Sequence, residues 1–253
     1  TNGPESNLFG LEPNYGCCTS NMHQGWPKFV AHLWMKTPDE GIAVAAAAPS
    51  RATFESRGVP VTVALDTDYP FRETLTLTVS PERAARFPIV LRVPAWAKGA
   101  TVRIAGGGAQ AMTPGTLHRL EQLWNRPTDI SIRFPMPAVV TERYNGAVAI
   151  ERGPLVYALK IGEAWTRVNA AKPHRELPHG DFEVRATTPW NYGLLASGRS
   201  IAGLTFEERP IGAIPFSPDG AGMVATATAR RIPSWRLDAG WAAEIAPADG
   251  AWA

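Results

Sequence analysis

The sequence predicts a mainly β protein with an antiparallel β-sandwich at its centre, and three observations carry that expectation. Glycine and proline each contribute 23 of the 253 residues, about 9% apiece against typical usage of roughly 7% and 5%, which favours turns over long helices. Short apolar runs recur along the chain with turn clusters between them. Thr74-Leu75-Thr76-Leu77-Thr78-Val79 alternates strictly, as a half-buried strand does.

Composition narrows the function classes. Residues are 45% hydrophobic and 19% charged, with 25 basic against 23 acidic side chains and a net charge of +2. That is the profile of a globular chain with enough apolar surface for a core. It lacks the polybasic block of a nucleic-acid binder, so no nucleic-acid partner is expected. No apolar run approaches the roughly 20 residues of a membrane-spanning helix, so no membrane partner is expected either. Nothing near Thr1 has the charged-then-apolar pattern of a secretory signal, and the chain is expected to begin inside a longer protein. The localisation is left open.

Taken in order, residues 1–18 are polar and rich in glycine, proline and asparagine, and read as a loop. Met22, Trp26, Phe29, Val30 and Leu33 then fall at offsets of four, seven, eight and eleven, the stripe of an amphipathic helix. Thr19, Ser20 or Asn21 caps its start and Pro38 closes it, while Pro27 either kinks it or marks a late start. Strand runs follow at Ile42–Ala48, Val59–Leu65, Thr74–Val79, Ile89–Val93, Thr101–Ala105, Leu117–Leu123, Asp129–Phe134, Ala138–Glu142, Ala147–Glu151 and Leu155–Lys160. The domain organisation this suggests is a loop and helix over residues 1–40, a sandwich over 41–160 and a second, less regular β domain over 161–253, where Ala225–Ile232 is a candidate strand.

The chain has two cysteines, and they are adjacent: Cys17 and Cys18. A relaxed disulfide needs Cα atoms about 4.4–6.8 Å apart, whereas a trans peptide fixes neighbours near 3.8 Å. A thiol or metal role therefore has to be weighed against plain packing, and adjacent cysteines taken alone are more often buried small residues. Their place before a helix N-terminus favours a thiolate. As zinc ligands they would supply half of a tetrahedral shell, with His23 and unplaced carboxylates as the other candidates within the chain.

The run Tyr15-Gly16-Cys17-Cys18-Thr19-Ser20-Asn21-Met22-His23-Gln24-Gly25-Trp26-Pro27-Lys28-Phe29 resembles the double-cysteine motif of glycoside hydrolase family 127, the β-L-arabinofuranosidase family. The motif's two cysteines, two variable positions and asparagine are matched by Cys17, Cys18 and Asn21. Leu91-Arg92-Val93-Pro94-Ala95-Trp96 resembles the family's first sandwich motif, Glu151-Arg152-Gly153-Pro154-Leu155-Val156-Tyr157-Ala158-Leu159 its second and Arg231-Ile232-Pro233-Ser234-Trp235 a late third. Four segments in the same order are more specific than the cysteine pair alone.

That resemblance implies a larger enzyme whose (α/α)6 barrel ends in the loop and helix over residues 1–40 before the sandwiches begin. It implies a zinc ion held by a glutamate and three cysteines, with Cys17 as nucleophile and ligand and Cys18 as ligand, and an upstream glutamate as general acid/base. The remaining zinc ligands and the acid/base would precede Thr1. The substrate would be an arabinose-containing oligosaccharide or glycan, and a homodimer through the sandwich is the protein partner the reading allows. A retaining glycosidase ordinarily uses two carboxyl groups about 5–5.5 Å apart. A cysteine replaces the attacking one if it is ionised yet able to leave, and zinc serves both needs. Tyr15 stands where some relatives carry a sugar-contacting histidine, and Thr19-Ser20 replaces the prolines common after the pair.

Other residues were weighed against plainer roles. Trp190 and Trp241 invite a glycan-stacking reading, whereas Trp34, Trp96 and Trp124 lie in apolar patterns and read as packing. His23 reads as a helix histidine satisfied by a neighbour, and His174 and His179 as solvated loop residues. Glu142 and Glu151 bracket Asn145-Gly146 and read as surface partners of Arg143 and Arg152 rather than a catalytic pair. Gly106-Gly107-Gly108 follows a strand without a helix after it and so is no phosphate loop. The competing reading of the whole is a non-catalytic β-sandwich that binds glycan or mediates dimer contacts.

Overall fold

The structure, a computed structural model, describes residues 7–10, 21, 23–143, 146–238 and 241–242. In chain order the elements are β1 (Leu8–Phe9), α1 (Gly25–Ala31), β2 (Trp34–Lys36), β3 (Ile42–Val44), β4 (Ser50–Ser56), β5 (Val59–Thr67), β6 (Thr74–Pro81), β7 (Ala85–Arg92), β8 (Thr101–Ile104), β9 (Gln110–Ala111), β10 (Leu117–Trp124) and β11 (Thr128–Arg133). They continue with β12 (Ala138–Glu142), β13 (Val148–Arg152), β14 (Leu155–Val156), β15 (Glu163–Val168), β16 (Asp181–Ala186), β17 (Tyr192–Leu194), β18 (Ala196–Ser197) and β19 (Ser200–Ile201). The last are β20 (Thr205–Glu208), β21 (Met223–Thr226), β22 (Ala229–Arg231), β23 (Leu237–Asp238) and β24 (Trp241–Ala242). The protein is mainly β, as its sequence predicts. It divides into two compact units, one of Gln24–Val139 with Glu151–Val156, the other of Thr1–His23, Val140–Ile150 and Tyr157–Ala253.

In the first unit a six-stranded antiparallel sheet, β4-β5-β6-β11-β8-β9, and a four-stranded sheet, β10-β7-β3-β2, contribute to one core. The period-2 rule explains its composition: Val59, Val61, Val63 and Leu65 of β5 and Leu75, Leu77 and Val79 of β6 are buried while the residues between them are not. Register aligns these rows, with Val63 opposite Val79, Leu65 opposite Leu77, and Leu77 opposite Ile130. β7 is the inner strand between β10 and β3, and it is buried from Phe87 through Leu91.

Three expectations change here. The β3–β7 pair is parallel, so the smaller sheet is mixed; the chain between them runs through β4, β5 and β6, a crossover long enough for parallel pairing. β4 was not anticipated, because Ser50-Arg51-Ala52-Thr53-Phe54-Glu55-Ser56 is too polar to stand out, although Phe54 packs edge-on against Phe87 at 5.6 Å. The helix is confined to Gly25–Ala31, so Pro27 marks a late start, sitting in the first turn where no backbone donor is needed. It closes at His32, whose N–H turns back to the Phe29 carbonyl, and Trp34–Lys36 is a strand. The described part of the apolar stripe does not face a core: Trp26 is 70% and Val30 63% exposed, and among its described residues only Leu33, beyond the helix, is buried.

In the second unit, short antiparallel pairs dominate: β15–β16 with β1 at the other edge of β16, then β17–β22, β18–β19, β20–β21 and β23–β24. Its small core joins Val140, Ile150 and Ile201, with Tyr157 and Phe206 packed edge-to-face at 5.3 Å. The single run foreseen at Ala225–Ile232 is two strands serving different partners, β21 with β20 and β22 with β17. Between them Thr228 turns its N–H to the Ala202 carbonyl. In the first unit the end of β13 pairs with β14, Glu151 opposite Val156 and Arg152 opposite Leu155, and the last foreseen run, Leu155–Lys160, keeps strand form only to Val156.

Candidate active site

Cys17 and Cys18, the residues that the sequence singles out as nucleophile and zinc ligands, lie outside the described residues, as does Tyr15. Their chain neighbours are described. Upstream, β1 pairs with β16, Leu8 opposite Glu183 and Phe9 opposite Phe182, and the Val184 N–H reaches the Asn7 carbonyl at 2.9 Å. The Phe9 ring lies 5.7 Å from that of Trp165, which in turn meets Phe182 at 6.0 Å. Downstream, His23 is exposed in a turn before α1 rather than on the helix.

The chemistry of the donor set tests whether zinc suits this chain. Among the described residues no group of three or more His, Cys, Asp or Glu side chains comes together as a metal site. Two neighbouring thiols suit zinc in ligand type and fill two of four tetrahedral positions, so Cys17 and Cys18 would hold it with ligands from outside the described residues.

Two cavities among the described residues of the first unit hold no acid/base pair. An open groove of about 500 Å³ is lined by Val30, Trp34, Lys36, Arg51 and Phe54 among others, with cations but no carboxylate, histidine or thiol. A second, of about 30 Å³, lies between Tyr69, Arg92 and Pro94. It has room for about one water molecule. Burial raises the Tyr69 phenol above its usual range, and the Arg92 charge opposes that rise.

The segments carrying the family resemblance have defined structural work. Arg92 ends β7 and reaches the Ala45 carbonyl at 3.4 Å, while Trp96 packs edge-on against Phe134 at 6.2 Å. Gly153-Pro154 closes the β13–β14 hairpin with Gly153 at φ +59°, and a Cβ there would lie 2.7 Å from the Met136 sulfur. Arg152, expected to pair with Glu142 or Glu151, instead takes Glu73 at 3.5 Å, because the hairpin turns it inward to 13% exposure. Glu73 also takes Arg133 at 2.8 Å and the Met136 N–H at 2.9 Å. In Arg231–Trp235, Ile232 is fully buried, and the enclosed Asn191 amide donates to the carbonyls of Ile232 and Trp235.

Packing is confirmed for Trp124, fully buried, and for Trp34 and Trp96, both lying against the core. His174 and His179 are exposed in a loop, as expected. Ala105 and Gly106 both have positive φ, forming a turn after β8 with no helix following. Asp181 went unnoticed in the sequence. It is a fully buried carboxylate whose Oδ2 accepts from Arg175 Nε at 2.7 Å and Asn169 Nδ2 at 3.0 Å. A lone aspartate at the end of a proline-rich loop carries no local pattern that could have revealed it.

Comparison with known proteins places this architecture. Residues 41–136, which hold β3 to β11, match the family model described as β-L-arabinofuranosidase, GH127 middle domain. Among solved structures, a GH127 β-L-arabinofuranosidase from Geobacillus stearothermophilus T6 is similar over 88% of this chain and 32% of its own, with 24% identity and a TM-score of 0.59. A GH127 β-arabinofuranosidase covers 85% of this chain and 35% of its own at 15% identity and TM-score 0.52. A protein described as a glycoside hydrolase covers 68% and 37% at 14% identity and TM-score 0.51. No curated protein matches. The chain thus spans about a third of the length of the solved structures it resembles. Over residues 41–136 the chain is thus similar to the middle domain of glycoside hydrolase family 127.

Proposed function

We propose that this chain is the carboxy-terminal part of a zinc-dependent, retaining glycoside hydrolase of β-L-arabinofuranosidase type, in which the final loop and helix of an (α/α)6 barrel lead into β-sandwich domains. The observation that carries the reading is the match of residues 41–136 to the GH127 middle domain, directly downstream of a Cys17-Cys18 motif that resembles the same family's. The exposed Trp26, Phe29 and Val30 of α1 are consistent with a helix that has neighbours elsewhere in the complete protein.

In this reading the Cys17 sulfur forms a bond to the anomeric carbon as the glycosidic C–O bond breaks, and an upstream carboxylic acid gives its proton to the departing oxygen. Water, deprotonated by the same carboxylate, then displaces the thiolate and releases the sugar. Zinc, held by Cys17, Cys18 and further ligands, would keep the thiol ionised and stabilise the sulfur as it leaves. The substrate is a terminal furanoside of an arabinose-containing glycan, and a homodimer through the sandwich belongs to the same proposal. The reading places the acid/base and the further zinc ligands elsewhere in the full-length protein, so it expects no turnover from these 253 residues by themselves.

The test is the full-length protein with Cys17→Ser. Loss of turnover on an aryl β-L-arabinofuranoside, with the fold retained, supports the assignment; full activity overturns it. The exposed pair Phe9 and Trp165 favours a second reading, a non-catalytic glycan-binding module. It predicts no zinc in the full-length protein by metal analysis and no cysteine-dependent hydrolysis.

A further inference from the structure

We propose that Asp181 is a positioning residue for the cysteine segment, acting through Gly10; the inference rests on the reading of Cys17 as nucleophile and deepens it. Gly10 is seven residues upstream of Cys17. It follows β1 directly, with φ +139°, and a Cβ added to it would run into the Asp181 carboxylate, coming within 2.8 Å of the Asp181 Cα and 3.0 Å of the Gly180 carbonyl. Oδ1 of Asp181 therefore lies against Gly10, while Oδ2 is taken by Arg175 and Asn169.

The arrangement asks for a role beyond packing. A buried ion pair adds little net stability, since desolvating the charges offsets their attraction, and its best-attested use is to fix one geometry among several. β1 has two residues and cannot set its own register firmly. Asp181 supplies what β1 lacks. Arg175 and Asn169 lock the carboxylate from the loop between β15 and β16, where Arg167 also binds the Arg175 carbonyl at 2.8 Å. The locked carboxylate then admits a glycine, and only a glycine, at position 10. The departure point of the segment that bears Cys17 is thereby fixed to a sheet, and a nucleophile held from a fixed point needs less reorganisation to reach the anomeric carbon.

The experiment uses the full-length protein and compares Gly10→Ala and Asp181→Asn with the parent. Arg185→Ala serves as control, an exposed residue of the same strand that pairs with Glu183. Two readouts are taken: kcat and KM on an aryl β-L-arabinofuranoside, and the iodoacetamide alkylation rate of Cys17 and Cys18 by mass spectrometry. At unchanged near-ultraviolet circular dichroism, the anchor predicts kcat lower by about tenfold or more with KM within about twofold. It predicts alkylation faster by at least about fivefold. Arg185→Ala should match the parent in both.

Parent-like kcat and alkylation in both variants overturn the proposal, as does a fall in melting temperature with kcat and KM unaltered. If the parent has no hydrolase activity, the enzymatic reading falls, and alkylation alone still decides the anchor. If Gly10→Ala and Asp181→Asn both fail to fold, Asn169→Gly decides by the same criteria, because it removes one of the two donors that hold Asp181 Oδ2 while glycine suits the φ of +54° at that position.

Discussion

Trp124 donates its indole N–H to the main-chain carbonyl of Phe87 at 2.9 Å, and both side chains are wholly enclosed in the core shared by the two sheets. The bond joins β10 to β7 through a side chain as well as through the strand ladder, and the two rings are 6.0 Å apart. Trp124→Phe should lose the hydrogen bond and part of the packing, about 1–3 kcal/mol by denaturant unfolding. Trp124→Ala should cost about 3–5 kcal/mol. A Phe variant as stable as the parent would show that the indole donor contributes nothing.

Glu73 gathers three partners, Arg133, Arg152 and the Met136 N–H, and Arg152 is the enclosed one. Removing the carboxylate with Glu73→Ala strips a nearly buried guanidinium of its counter-charge. Destabilisation of about 2–4 kcal/mol is expected, with Glu73→Gln losing less because it keeps an acceptor for Met136. Arg133→Ala, at an exposed position, should cost under about 1 kcal/mol. Equal effects of the Ala variants at 73 and 133 would contradict the ranking.

Asp39 accepts from Thr37 Oγ1 at 2.5 Å and pairs with Arg119 at 2.6 Å, and both hold its carboxyl below the usual aspartate range. A carboxyl depressed in the folded state adds stability above its unfolded pKa, and that contribution is lost as pH falls through the folded value. The group is solvent-exposed, so the readout is its titration rather than global stability. NMR titration of Asp39 should show a midpoint below that of a model peptide, rising in Thr37→Val and in Arg119→Ala. A midpoint indifferent to both substitutions would refute the assigned causes.

The strands whose faces differ in polarity were legible in the sequence, and those whose faces do not were hidden. Val59–Leu65 and Thr74–Val79 bury every second residue, so their pattern is the physics of a half-buried sheet. Glu163–Val168 is exposed over most of its length, leaving composition nothing to report. The stripe from Met22 to Leu33 has the right period, yet Trp26 and Val30 are exposed, because periodicity reveals an apolar face and not what covers it. The cysteine pair stood out in the sequence through its motif and lies outside the described residues. Asp181 was not, since its significance arises only when Arg175, Asn169 and Gly10 converge on it in space.

Asn191 gives the last test, at the carboxy-terminal motif. Its side-chain amide donates to the carbonyls of Ile232 at 3.0 Å and Trp235 at 3.1 Å, its oxygen accepts from Arg231 Nε at 3.2 Å, and its own backbone carbonyl takes the Ile232 N–H at 2.8 Å. The side chain thus replaces a strand for a segment where proline at 233 prevents one from continuing. Asn191→Ala leaves two carbonyls without their donor and should destabilise by at least about 2 kcal/mol. Asn191→Asp separates the contributions: it keeps the shape and the acceptor for Arg231 but sets an oxygen against two carbonyl oxygens. If the donor is what matters, the aspartate variant unfolds at least as readily as the alanine variant near neutral pH, measured by denaturant midpoint. Parent-like stability for Asn191→Asp would instead assign the anchoring to Arg231.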